Sequence, residues 1–253
     1  MTVKHRDILE TTADYIRQEL QNAEPGHDWW HTSRVRHWAR HLQEREGGDL
    51  ELIELAALLH DLRDYKFQDG DTEAGPNAAI HWLVAQGYPE NRAKSVANIV
   101  ASINFKGPSG KEHAECIEHA IVQDADRIDA LGAIGVARAF SYGGHFTRKM
   151  LDPAIPPRID MGASEYQKSK SPTINHFFEK LLLLKDRMLT RTGKMLASEL
   201  HSFLIHFLTQ FFNEFFIGNT PPEDWAKLLR EYQAGSHPVN GEESEVSKER
   251  CSK

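Results

Sequence analysis

Two adjacent pairs of histidine and aspartate occur in this chain, His27-Asp28 and His60-Asp61. An imidazole nitrogen beside a carboxylate oxygen can hold a cation or move a proton. The dipeptide alone is weak evidence, because a chain with 14 histidines contains about one by chance. Context favours the second pair. It closes the apolar segment LIELAALLHDLRD, Leu52 to Asp64, which reads as a buried helix with both side chains within reach of one ion. Upstream, His31 opens an amphipathic helix in HDWWHTSRV. Downstream, QDADRIDALGAIG places Asp124 and Asp126 inside another apolar helix. Charges in such helices are costly unless paired or metal-bound. Two residues apart, these aspartates point about 200° from each other, so only one of them can join a common site.

Other motifs are excluded. The chain has no HExxH, paired CxxC, GxxxxGK[ST] or GxGxxG, which argues against a zincin, a zinc ribbon, a P-loop NTPase and a dinucleotide-dependent dehydrogenase. His37 and His41 have metal-pair spacing but lie beside Arg36 and Arg40 on a polar face, so they read as solvated. His81, His113, His119, His201 and His206 have no acid at ligand spacing and read as surface or satisfied core residues.

Taken in order, His31, His60-Asp61 and Asp126 resemble the H…HD…D pattern of the HD-domain metal-dependent phosphohydrolase superfamily. HDWWHTSRV, DADRIDALGAIGVARAF and INHFFEKLLLLKDRMLT are similar to the small stand-alone HD proteins of the YedJ-like branch. The likeness runs from about His27 to Glu214 and carries least over Gly143 to Pro172. It implies an all-α HD helical bundle that holds one divalent transition metal (Mn, Co, Fe, Ni or Zn, with Mg admissible) on His31, His60, Asp61 and Asp126. This N/O donor set suits such ions and leaves positions for water and a phosphate oxygen. Asp126 is preferred to Asp124 because the family's last ligand is followed by a basic residue, here Arg127.

The resemblance also implies roles around the metal. Arg127 is the expected phosphate clamp, because a guanidinium binds phosphate oxygens in bidentate fashion. Asp64 is the expected proton-handling catalytic residue, with Asp69 as a second candidate. His27 and Asp28 are expected to orient His31 or meet substrate, Asp28 alternatively serving as a helix cap. His176 and Lys180, four residues apart, match a later motif and are expected to bind substrate. The expected activity is hydrolysis of a nucleotide or similar small phosphate ester, foremost a nucleoside triphosphate with release of pyrophosphate. The alternatives are a 5′-nucleotidase or other phosphomonoesterase, a non-catalytic nucleotide-binding HD module, and a di-iron HD oxygenase that would draw on His81 or His113. Lys66, Lys106, Arg148 and Lys149 are further cations for a polyphosphate.

The elements that must position these residues are helical almost throughout, as in Ile8, Thr12, Tyr15, Ile16 and Leu20, or Val35, Trp38, Ala39 and Leu42. Caps mark their ends: Asp49 before Leu50, Gly87, Pro89, and Thr220 before Pro221, Pro222 and Glu223. About eight or nine helices are expected. Phe140 to Thr173 breaks the pattern with Gly143, Gly144, Pro153, Pro156, Pro157, Gly162 and Pro172, and reads as a long irregular loop. Periodicity returns from Ile174 to Ile217, so residues 1–233 are expected to form a single domain. Residues 234–253, rich in Gly, Ser, Glu and Lys, are expected to be a disordered tail.

With 253 residues and 40% hydrophobic content the chain can bury a full core. Its net charge of -7 argues against a nucleic-acid partner. Cys116 and Cys251 are too few for a disulfide framework and suit a reducing compartment. No signal peptide or membrane span is evident, and a cytoplasmic protein is expected, with a homodimer as one admissible assembly.

Overall fold

A computed structural model describes residues 5–24, 26–62, 73–103, 105, 107–110, 112–235, 245–246 and 251. Its centre is α3, Leu50–Leu59. The Asp49 carboxylate caps this helix by accepting from the Leu52 N–H at 3.1 Å, as the sequence suggested. Every residue from Leu52 to Leu59 is buried, and a helix that is apolar on all sides has to be surrounded. The one charged residue of this buried stretch, Glu54, is neutralised by Arg36 at 2.8 Å and Arg40 at 3.3 Å. That carboxylate is therefore committed to structure.

Around α3 stand α1 (His5–Glu19), α2 (Trp29–Glu46), α5 (Glu90–Ser102) and α6 (Ile117–Asp129), with α4 (Ala74–Ala85) against α5. The Gly47-Gly48 turn joins α2 to α3, both glycines having the positive φ that side chains disfavour (82° and 91°). The start of α2 is thereby brought to the end of α3. A second layer contains α7 (Gly132–His145), α8 (Ala163–Lys168), α9 (Thr173–Glu179), a 3-10 segment over Leu181–Arg187, α10 (Arg191–Phe215) and α11 (Glu223–Ala234).

The architecture is all-α, as expected, with eleven α-helices among the described residues. The excess over eight or nine has two sources. α8 lies inside the segment read as irregular, and the stretch from Ile174 to Ile217 is divided into α9, a 3-10 turn and α10. The division occurs at Asp124. This buried carboxylate accepts from the Leu189 N–H, the Thr190 N–H and the Thr190 hydroxyl at 2.7–2.9 Å, and Thr190 caps α10. A side chain at Gly193 would collide with the same carboxylate.

Three described residues near the chain's end make contacts with the helical body. Glu245–Val246 forms a two-residue parallel ladder with His113–Ala114, and Cys251 is joined to Cys116 by a disulfide across 135 residues. The Cys251 N–H points to Glu118 and its carbonyl accepts from Ser95. Cysteine spacing could not show a pairing created by the return of the chain end to α6. The rest of the tail lies outside the described residues. No described helix is long and apolar enough to cross a membrane.

Candidate metal centre

Three helix ends meet at His31. The Asp28 carboxylate caps α2 by accepting from the His31 N–H at 2.9 Å, which settles Asp28 as a cap and places the His31 ring in the first turn. His60 follows the last residue of α3, and Asp126 sits in the last turn of α6. The C-terminal ends of α3 and α6 carry partial negative charge, so both helices favour a cation there.

The donor atoms converge. His31 Nε2 lies 3.2 Å from His60 Nε2, 3.3 Å from Asp61 Oδ2 and 3.4 Å from Asp126 Oδ1. His60 Nε2 lies 3.4 Å from Asp61 Oδ2 and 3.8 Å from Asp126 Oδ1. Ligands bound at about 2.0–2.2 Å to one ion have neighbours at about these separations. His31, His60 and Asp126 form a cluster able to hold a metal, and Asp61 closes on both imidazoles.

The outer contacts fix which nitrogen faces inward. The Nδ1 of His60 lies 2.9 Å from the Ala57 carbonyl, and the Nδ1 of His31 lies 2.7 Å from Asp129 Oδ2. An N–H at each Nδ1 leaves the Nε2 lone pairs for the centre. The Asp61 Oδ2 is buried without a hydrogen bond, a state that a bound cation would relieve. Two imidazoles and two carboxylates also balance a divalent charge, so the residues fit the metal that the sequence pattern implies.

The electrostatics agree. Burial and Arg138 oppose a charge on His31, yet Asp126, Asp129 and Asp61 outweigh them and raise its pKa to about 10. Burial raises the Asp61 and Asp126 carboxyls, but the neighbouring histidines hold both below the ordinary range. This corner therefore attracts positive charge strongly, and a divalent ion would compete with the proton.

One face of the centre opens into a cavity of about 640 Å³, bounded by His60, Asp61 and Asp126 at the metal end and by α7, α8 and α9 beyond. That volume suits a ligand of nucleotide size.

A model of the HD domain matches residues 29–131. The solved HD-superfamily hydrolase of Bacillus thuringiensis is 40% identical, covering 84% of this chain and 98% of that one with a TM-score of 0.64. The chain belongs to the HD-domain family. The Bacillus subtilis protein YpgQ is 37% identical over 210 residues, 82% of this chain and 94% of YpgQ. A crystal structure of YpgQ in complex with ADP aligns with a TM-score of 0.62 at 35% identity, over 80% of this chain and 97% of that one. A structure from Lactobacillus plantarum aligns with a TM-score of 0.74 at 34% identity, over 85% and 98%.

Within this HD domain the other expected residues fall into two groups. His27, His176, Lys180 and Arg127 all line the cavity. His176 meets the Tyr166 hydroxyl at 2.8 Å, and the Lys180 ammonium lies 5.2 Å from the Phe105 ring centre. Lys180 caps the end of α9: its N–H still donates to the His176 carbonyl at 2.9 Å, and its φ of -144° ends the helix there. Arg127 is buried and bound to Glu112 at 2.6 Å and to the Arg187 carbonyl at 3.4 Å. Arg187 in turn donates to the carbonyls of Gly107 and Pro108. Part of the Arg127 guanidinium is thus occupied by structure, which an isolated motif could not reveal. Asp64, Asp69 and Lys66 lie outside the described residues, as does Lys106.

Asp129 was missed. Besides orienting His31, it accepts from Arg34 at 2.6 and 3.0 Å and pairs with Arg138 at 3.0 Å. Burial raises its carboxyl, but His31, Arg34 and Arg138 together lower it. Its spacing, one turn after Asp126 on α6, was the available signal.

Proposed function

We propose that this HD-domain protein is a divalent-metal-dependent phosphohydrolase of nucleotides, with cleavage of nucleoside triphosphates to release pyrophosphate as its preferred reaction. The observation that carries this reading is the convergence of His31, His60, Asp61 and Asp126 at the end of a cavity large enough for a nucleotide. ADP bound to the related YpgQ supports the nucleotide class. His31, His60, Asp61 and Asp126 would hold a divalent cation, which when bound would acidify a water and polarise the phosphorus centre.

The chain's own groups divide the remaining tasks. Asp129 and the Ala57 carbonyl hold the two imidazoles in their ligating orientation. Asp64 takes the proton from water or delivers one to the leaving oxygen, with Asp69 as the second candidate. Arg127, steadied by Glu112, has N–H donors beyond its bonds to Glu112 and the Arg187 carbonyl and offers them to the reacting phosphate. Lys180 and Arg148, also on the cavity wall, meet the outer phosphates, and His27 and His176 contact substrate.

The test is turnover of a nucleotide panel with Mn, Co, Mg, Ni and Zn, with pyrophosphate and orthophosphate measured separately. Pyrophosphate from nucleoside triphosphates is expected. Orthophosphate from monophosphates alone would replace this reading with a nucleotidase. Absence of turnover with every metal would leave a binding module or an oxygenase.

A further inference from the structure

The C-terminal ends of α3 and α6 carry the candidate metal centre; their N-terminal ends hold a second cluster of ligating side chains. Cys116, Glu118 and Cys251 each bring one donor atom to within 4.8 Å of the other two. The two cysteines are joined as a disulfide, with Cα atoms 5.6 Å apart. Cys116 and Glu118 are buried, and Cys251 is half-buried. The Glu118 carboxylate accepts from two backbone N–H groups, those of Asp49 at 3.1 Å and Cys251 at 3.4 Å. No cationic side chain among the described residues pairs with it, although a buried carboxylate ordinarily needs one.

The surroundings favour negative charge. Cys116 caps α6, its sulfur accepting from the His119 N–H at 3.4 Å, and Asp49, whose N–H meets Glu118, caps α3. Helix N-termini carry partial positive charge and lower the pKa of a thiol placed there. Two thiolates and a carboxylate around a divalent ion leave one net negative charge, which these helix ends stabilise. Thiolates select soft ions such as zinc over Mg or Mn. Tetrahedral bonds of about 2.3 Å put two sulfurs roughly 3.8 Å apart, a separation that the Cα spacing of 5.6 Å permits.

We infer that Cys116, Cys251 and Glu118, once the disulfide is reduced, form a second metal site that takes zinc or a similar soft divalent ion, with water as the fourth ligand. A phosphine breaks the Cys116–Cys251 bond with two electrons and leaves as its oxide; water supplies the oxygen and the two protons that the sulfurs take up. The incoming ion then displaces both protons as two sulfur–metal bonds form. The same side chains thus fasten Cys251 to the start of α6 in either redox state, directly or through the ion. The site stands apart from the cavity, which none of its three residues lines. Its role is structural: it ties the starts of the two helices whose other ends carry His60 and Asp126.

The test is titration of the full-length protein with Co under anaerobic conditions, after phosphine reduction and removal of the reductant. Thiolate bound to cobalt gives a sulfur-to-cobalt charge-transfer band in the near ultraviolet, which the nitrogen and oxygen donors of the His31 centre cannot give. The reduced protein should develop this band, zinc should remove it by displacement, and the disulfide form should lack it. Cys251→Ser lies outside every described helix and should keep the wild-type circular dichroism spectrum while losing the band. Glu118→Gln should keep the band but weaken cobalt binding roughly tenfold or more, since loss of a mere supporting partner already costs that much. If Glu118→Gln does not fold, the Cys251→Ser comparison decides alone. No band in the reduced wild type, a band unchanged in Cys251→Ser, or undiminished affinity in Glu118→Gln would overturn the inference.

Discussion

Asp129 Oδ2 lies 2.7 Å from the Nδ1 of His31, on the opposite side of the ring from the nitrogen that faces Asp61 and Asp126. Asp129 thus orients a candidate metal ligand without belonging to the candidate set. Asp129→Asn should weaken metal binding roughly 10- to 100-fold, the usual cost of losing such a support. Titration of the metal-free protein with Mn or Co, followed by calorimetry, measures this. Unaltered affinity would show that His31 needs no orienting partner.

The two aspartates that sequence spacing set as rivals should separate cleanly. Asp126→Ala should abolish metal retention with little effect on stability, because Asp126 faces the centre and has no part in the α10 cap. Asp124→Ala should keep the metal and lose about 3 kcal/mol, because it leaves the Leu189 and Thr190 donors without their buried acceptor. For a chain of this size that is a fall in Tm of roughly 6–12 °C. Metal analysis and thermal melts on the two variants decide the matter, and the reverse pattern would exchange their roles.

Lys180 reports on the length of the substrate. If its ammonium meets an outer phosphate, Lys180→Ala should reduce kcat/KM for a triphosphate by tenfold or more, on the order of a lost charge-assisted contact, with a much smaller loss for a monophosphate. Equal losses on both would make Lys180 a structural residue of the wall.

His201 should make the fold sensitive to acid. Burial, assisted by the charge of Lys185, lowers its pKa to about 4. A histidine whose folded pKa lies below its unfolded value of about 6.5 contributes stability that is complete above pH 6.5 and is lost as the pH falls towards 4. The effect is on the order of 3 kcal/mol at full protonation. His201→Gln should therefore melt closer to wild type at pH 4.5 than at pH 7. Parallel loss at both values would show that the ring titrates normally.

The sequence by itself determined the helical class, the cap at Asp49, the helix starts at Pro89 and in the run from Thr220 to Glu223, and the order of the candidate metal-binding motif. These properties are local: helical periodicity, capping chemistry and the adjacency of His60 and Asp61 depend on neighbours a few residues apart. The resemblance supplied the choice of Asp126, and the approach of its Oδ1 to both imidazoles agrees with it.

Tertiary structure alone decided the rest, because it depended on residues distant in the chain. Asp129 reaches a ring 98 positions earlier, Asp124 is consumed by a turn 65 positions later, and Arg127 is held by Glu112. Cys116 finds its partner 135 residues away. No periodicity encodes such pairings, since a buried carboxylate or guanidinium is satisfied by whichever donor or acceptor the packed helices bring to it. Sequence could show that Asp124 and Asp126 needed partners; only the packing of α2, α3, α6 and α10 determined that one faces the metal centre and the other holds the chain.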